Sequence, residues 1–182
     1  MLDITSLQNP RVKQIVKLRD DKKQRQRDGL MLVEGYNEIT LALDAGHMPL
    51  TILRAPELNR RQLKDTGAET LTVSSAVFEK MSQRENSDGW LAIFPIPRVS
   101  LDDLKLGSSP LIIVAEAIEK PGNLGAILRT ADGAGLNAVI VAESATDLFH
   151  PNIIRASLGA VFAVPVSVAS SGDVLALSLI HI

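Results

Sequence analysis

The chain has 182 residues, of which 46% are apolar and 22% charged, with a formal net charge of −2 and no cysteine. This is the composition of a globular protein of one medium domain or two small ones, and it excludes a disulfide scaffold, a thiolate nucleophile and Cys-ligated metal sites. No apolar run approaches the ~20 residues of a membrane-spanning helix, and the opening MLDITSLQNPRVKQ lacks a basic-then-apolar leader. Three scattered histidines, His47, His150 and His181, make a poor metal set. The expectations are therefore a cytoplasmic protein with no membrane segment and no metal. Six aromatic side chains leave little for an RNA platform of several stacked rings.

In chain order, residues 10–28 read as one helix, with Pro10 in its first turn, Val12, Ile15, Val16 and Leu18 as an apolar stripe and Gly29 at its exit. Within it, residues 11–27 carry eight Lys or Arg against Asp20 and Asp21, a local charge of +6 that leaves −8 for the rest. The pattern then alternates: strands over 30–33, 50–53, 70–73 and 90–94, with helices over 36–45, 57–65 and 75–83 between them. This predicts a small α/β layer structure over residues 1–97. The proline- and serine-rich stretch around 98–109 reads as a linker. A second α/β pattern fills 110–182: an apolar strand at 111–117, a helix at 123–134, a strand at 137–142, a short helix at 151–158, a strand at 160–166 and a helix from 172. After Arg155 the only formal charge is Asp173, and the chain stops in the apolar run ALSLIHI.

Three stretches offer chemistry. In AEAIEKPGNLGAILRTADGAGLNAVIV (115–141), Asn123 is placed to cap a helix. Gly125, Arg129 and Gly133 fall at i, i+4 and i+8 on one face of that helix. Arg129 is then either a cation on a face bared for a ligand or a partner of Asp132. Two glycines in a helix cost about 1 kcal/mol each relative to alanine, which asks for a compensating purpose. GNLGAI lacks the G-x-G-x-x-G spacing, and no G-x-x-x-x-G-K-S/T loop is present, so both of those nucleotide folds are disfavoured. In HPNIIRASLGAVFAVPV (150–166), Arg155 and Ser157 can hold a phosphate or simply finish a helix. The basic stretch, with Lys22, Lys23, Arg25 and Arg27, suits phosphate contact or a solvated helix face.

EKPGNLGAILRTADGAG (119–135) and IIRASLGAVFAVPV (153–166) resemble two motifs of the SpoU (TrmH) RNA ribose methyltransferases of the SPOUT class. Residues 4–35 resemble the entry to that family's substrate-binding domain, a ribosomal-protein-L30e-like α/β module. The resemblance implies an L30e-like RNA-binding domain followed by the first part of an α/β-knot methyltransferase domain, and a homodimer. It implies methyl transfer from S-adenosylmethionine to a ribose 2′-hydroxyl, most closely as in the subgroup that acts on 23S ribosomal RNA. Arg129 and Asn123 then carry the catalytic roles, and Arg155, Ser157, Lys22, Lys23, Arg25 and Arg27 the RNA contacts. The family's later Gly–x–Glu–x–x–Gly loop and Ser–Leu–Asn–Val stretch, which hold the cofactor, are absent. The expectation is accordingly of a C-terminally truncated, inactive chain whose cofactor residues cannot be named and whose last residues, SLIHI, match nothing in the family pattern. The alternatives are a non-catalytic RNA-binding module and a transfer-RNA substrate.

Overall fold

A computed structural model describes residues 3–143 and 146–180; His181 and Ile182 at the end of SLIHI lie outside the described residues. The chain parts into two compact units, the first holding the chain up to Ile96 together with Phe149–Pro151, the second the rest from Pro97.

The first unit opens on two helices where the pattern predicts one, α1 (Pro10–Asp20) and α2 (Lys22–Asp28). Asp21 breaks the run. Its backbone is extended at φ −113° and ψ 111°, and its side chain accepts from the Lys23 and Gln24 amides, capping α2. Arg25 secures the break. It is fully buried, and its Nη1 donates to the carbonyls of Leu18 at 2.6 Å and Arg19 at 2.9 Å. The orphan carbonyls at the end of α1 thus find a donor, and a cation sits at the negative end of that helix.

A sheet of order β1-β4-β2-β3 follows, formed by β1 (Leu30–Glu34), β2 (Thr51–Arg54), β3 (Glu69–Thr72) and β4 (Trp90–Pro95). β4 runs antiparallel to both β1 and β2, and β2 runs parallel to β3. Leu32, Leu53 and Leu91 face Val12 and Ile15 of α1 and Val77, Phe78 and Met81 of α4 (Ser75–Met81) in one core. The period-two alternation of a strand leaves Met31 and Val33 for the opposite face, where α3 (Tyr36–Asp44) buries Ile39 and Ala42. The helix predicted over 57–65 does not form. Leu58 and Asn59 both donate to the Ala55 carbonyl, at 3.0 and 3.1 Å, and the chain then runs on as a loop. RRQLKD (60–65) offers one apolar residue, too little to hold a helix face on the core.

The second unit is a parallel sheet of order β5-β6-β7, from β5 (Ile112–Glu116), β6 (Ala138–Ala142) and β7 (Val166–Ala169). Every residue of central β6 is buried, as a strand covered on both faces requires. α5 (Pro121–Gly133) buries Leu124, Gly125, Leu128 and Ala131. α6 (Pro151–Ala156) and α7 (Ala160–Ala163) precede β7, and α8 (Ser171–Ile180) follows it. The strand predicted at 160–166 is thus a helical turn, with β7 beginning only after Pro165; a short apolar run does not distinguish strand from helix by periodicity. The stretch read as a linker is partly built in. Ser100 and Asp103 form a capping box on a short 3-10 turn, and the Val99 carbonyl accepts from Val168 N at 2.8 Å and Ser167 Oγ at 3.1 Å. Among the described residues no helix is long and apolar enough to cross a membrane, and no group of three or more metal-ligating side chains comes together.

Candidate functional site

α5 opens on a proline-led first turn, with Lys120 at the N-cap and Pro121 at its first helical position. Asn123 is therefore inside the helix rather than capping it, and it is exposed. One and a half turns further on, Arg129 is also exposed, and its Nη1 donates to the carbonyl of Ala156. Gly125, one turn before Arg129, explains how that carbonyl comes within reach. A Cβ there would lie 2.6 Å from both C and Cβ of Ala156 and 2.8 Å from the Ser157 amide nitrogen. At Gly125 the bare face of α5 is thus filled by backbone at the end of α6, and Arg129 is anchored there. This joins the two sequence blocks at a single peptide unit. The acceptor is a main-chain oxygen, which no side-chain pattern could have announced; the buried Gly125 is its only trace in the sequence.

The turn itself is strained. Leu158 is left-handed at φ 54° and is followed by Gly159 at φ 85°. Ser157 is fully buried, with its hydroxyl donating to the Ile154 carbonyl at 3.0 Å. It finishes α6, with its hydroxyl committed to that carbonyl. Arg155, the residue just before the Ala156 anchor, is exposed.

The basic stretch divides in the same way. Lys22, Lys23 and Arg27 are exposed, while Arg25 is inside the protein and holds α1. Arg19 is half-buried and donates to Asp20 and to the carbonyls of Lys80 and Ser82, both at 2.9 Å. That hydrogen bond holds the Asp20 carboxyl below the ordinary carboxylate range and pushes the Arg19 guanidinium further up.

Two family models divide the chain at the same place: an MRM3-like substrate binding domain over residues 9–92, and the SpoU rRNA Methylase family over residues 110–177. A crystal structure of an RNA 2′-O ribose methyltransferase matches 98% of this chain and 69% of its own, at 38% identity and a TM-score of 0.81. The chain belongs to the SpoU rRNA methylase family. An AdoMet-bound rRNA methyltransferase from Sinorhizobium meliloti matches 98% of this SpoU chain and 68% of its own, at 29% identity and a TM-score of 0.84. The 23S rRNA (guanosine(2553)-2′-O)-methyltransferase RlmP of Bacillus subtilis is 30% identical over 91% of the SpoU chain. The SpoU chain spans 64% of the length of that curated relative, and 41% of the Xenopus laevis mitochondrial rRNA methyltransferase 3.

Proposed function

We propose that this SpoU chain belongs to an enzyme that transfers a methyl group from S-adenosylmethionine to a ribose 2′-hydroxyl of RNA, with 23S ribosomal RNA as the substrate. The observation that carries the reading is Arg129, anchored through Nη1 on the Ala156 carbonyl in the segment that unites both family blocks. A guanidinium has five N–H donors and no acceptor, so it does not take the hydroxyl proton. Its remaining donors suit a phosphate beside the target ribose and the negative charge that develops on the 2′-oxygen. Asn123, exposed on the first turn of the same helix, is the proposed second substrate contact. Methyl transfer is an in-line displacement, so most of the rate comes from positioning.

When bound, S-adenosylmethionine supplies the methyl group. The residues around Arg129 do not form a cradle for it: the space a Gly125 Cβ would take is filled by Ala156 and Ser157, and the Ser157 hydroxyl is spent on Ile154. No step is therefore assigned to residues that hold it.

Disrupting the gene for this chain is expected to erase one ribose methylation from a map of 23S ribosomal RNA. Loss of a transfer-RNA methylation instead moves the substrate to transfer RNA. Unchanged maps of both overturn the enzymatic reading and leave a non-catalytic RNA-binding module. The enzyme is also proposed to be a homodimer, supported by large apolar side chains on the second unit, where Leu111 is 63% and Leu175 65% exposed. Sedimentation at a monomer mass across the micromolar range would refute that.

A further inference from the structure

The first unit contains a groove of about 450 Å³ that the basic helix does not reach in sequence and that none of the family motifs names. Its size lies in the ~300–1,000 Å³ range of small-ligand sites. Its walls are Tyr36 at the start of α3, Arg60 and Arg61 in the loop that fails to form a helix, Asn86, and Trp90 at the start of β4. Tyr36 and Trp90 are the only tyrosine and the only tryptophan in the chain.

The groove is held rigid. The Arg61 guanidinium lies over the Tyr36 ring, 5.1 Å from its centroid, and its Nη1 donates to Asn37 Oδ1 at 3.0 Å. The Trp90 indole Nε1 donates to the Arg61 carbonyl at 3.2 Å. The Asp88 carboxylate accepts from the amides of Tyr36 at 2.7 Å and Trp90 at 3.2 Å, tying both aromatic residues to one loop. Gly89, at φ 76°, lets the arginine loop come close: a Cβ there would meet the Leu58 Cβ at 2.8 Å and the Ala55 carbonyl at 2.9 Å. The turn bearing Tyr36 is fixed by Arg84, whose Nη2 donates to the Glu34 carbonyl at 3.1 Å and to Glu38 at 2.5 Å.

The charges around the groove are uneven. Glu57 accepts from the Ser75 hydroxyl, and Asp88 is engaged by two amides. Arg60 is exposed and makes no ion pair among the described residues. A loop with two adjacent arginines, one stacked on a ring and one uncommitted, is costly to order unless its order serves a ligand.

We propose that this groove binds an unpaired nucleotide of the RNA: the base stacks on the Tyr36–Arg61 pair, Arg60 holds the adjoining phosphate, and the exposed Asn86 amide meets the base edge. The chemistry is that of single-strand recognition, in which aromatic rings and guanidinium planes stack bases and cations hold the backbone. This rests on the proposed RNA substrate and adds to it a second place of contact and a preference for unpaired RNA.

The test uses the whole 182-residue chain, a mixed-sequence single-stranded 12-mer oligoribonucleotide and the same strand in a duplex. Filter retention gives affinity, and Trp90, the single tryptophan, makes intrinsic emission a reporter of the groove wall. The single strand is expected to bind at least tenfold more tightly than the duplex and to change the Trp90 emission. Arg60→Ala with Arg61→Ala is expected to weaken binding by about tenfold or more, and Tyr36→Leu by about tenfold, with Tyr36→Phe restoring it. Arg60→Glu alone, at an exposed side chain, covers the case in which the double variant is unstable, and is expected to weaken binding at least as much as loss of one cation. Retention of RNA with unchanged emission and unaltered affinity in Arg60→Glu overturns the groove and leaves the RNA substrate standing. Equal affinity for duplex and single strand overturns it too, as does an acidic peptide that competes as well as RNA. No retention of any RNA by the wild-type chain overturns both the groove and the RNA reading.

Discussion

Gly125 and Arg129 stand one turn apart on α5 and are spent on the same peptide unit, one by yielding space to Ala156 and the other by donating to its carbonyl. Gly133, the third member of that face, has nothing within 4 Å of where a Cβ would be. The two glycines therefore respond to substitution in opposite ways. Alanine in a helix is worth up to about 1 kcal/mol over glycine. At Gly133 that gain is realised, and Gly133→Ala is expected to raise the unfolding free energy by about 0.5–1 kcal/mol. At Gly125 the added methyl meets backbone, which cannot swing aside as a side-chain end can, and overpacking of this kind costs about 1–3 kcal/mol. Gly125→Ala is expected to destabilise by about 1 kcal/mol net and to displace the turn that anchors Arg129. Urea denaturation of both variants reads the contrast directly; a shift of the same sign in both would mean that the close approach at Gly125 is not a constraint.

At the scale of elements, the sequence made the two α/β units, all four strands of the first sheet and the α5 motif legible, because each rests on a periodic apolar face with turn residues at its ends. What stayed hidden had a physical reason in each case. The break between α1 and α2 depends on Asp21 turning its carboxylate to the Lys23 and Gln24 amides, a local choice that competes with helix continuation and leaves the charge pattern unchanged. The loss of the helix at 57–65 follows from tertiary bonds that take the loop instead, above all Trp90 Nε1 to the Arg61 carbonyl. At 160–166 an apolar run carried no periodicity that separates α7 from a strand, and Pro165 marked the boundary. In the candidate site, Arg129 and Gly125 were visible by spacing, whereas the Ala156 acceptor was not. The burial of Ser157 and Arg25 was not legible, since a serine ending a helix and an arginine in a basic run look alike in sequence whether they face solvent or backbone carbonyls.

For the whole molecule, the charge of +6 packed into residues 11–27 shrinks once the fold assigns each cation its work. Arg25 caps α1, Arg19 bridges α1 to the Lys80 and Ser82 carbonyls at the end of α4, and Arg11 pairs with Glu69 at 2.6 Å. Arg27 is paired with Asp28 at 3.1 Å, but its side chain is 72% exposed, a surface pair worth little and readily exchanged for a phosphate. The cations of the proposed RNA set that remain at the surface of this stretch are Lys22, Lys23 and Arg27. Each one that displaces counterions from single-stranded RNA contributes about 0.7 to the slope of log affinity against log salt, and about 0.9 on a duplex. Replacing these three with glutamine is therefore expected to flatten the slope by about 2 for a single-stranded ribosomal RNA segment, with the affinity loss largest at low salt. It should leave the preference for unpaired over paired RNA intact, because that preference belongs to stacking on Tyr36 and Arg61 and not to bulk charge. Binding measured at several salt concentrations separates the two contributions. An unchanged slope in the triple variant would confine the RNA contacts of the first unit to the groove, and make Lys22, Lys23 and Arg27 a solvated surface.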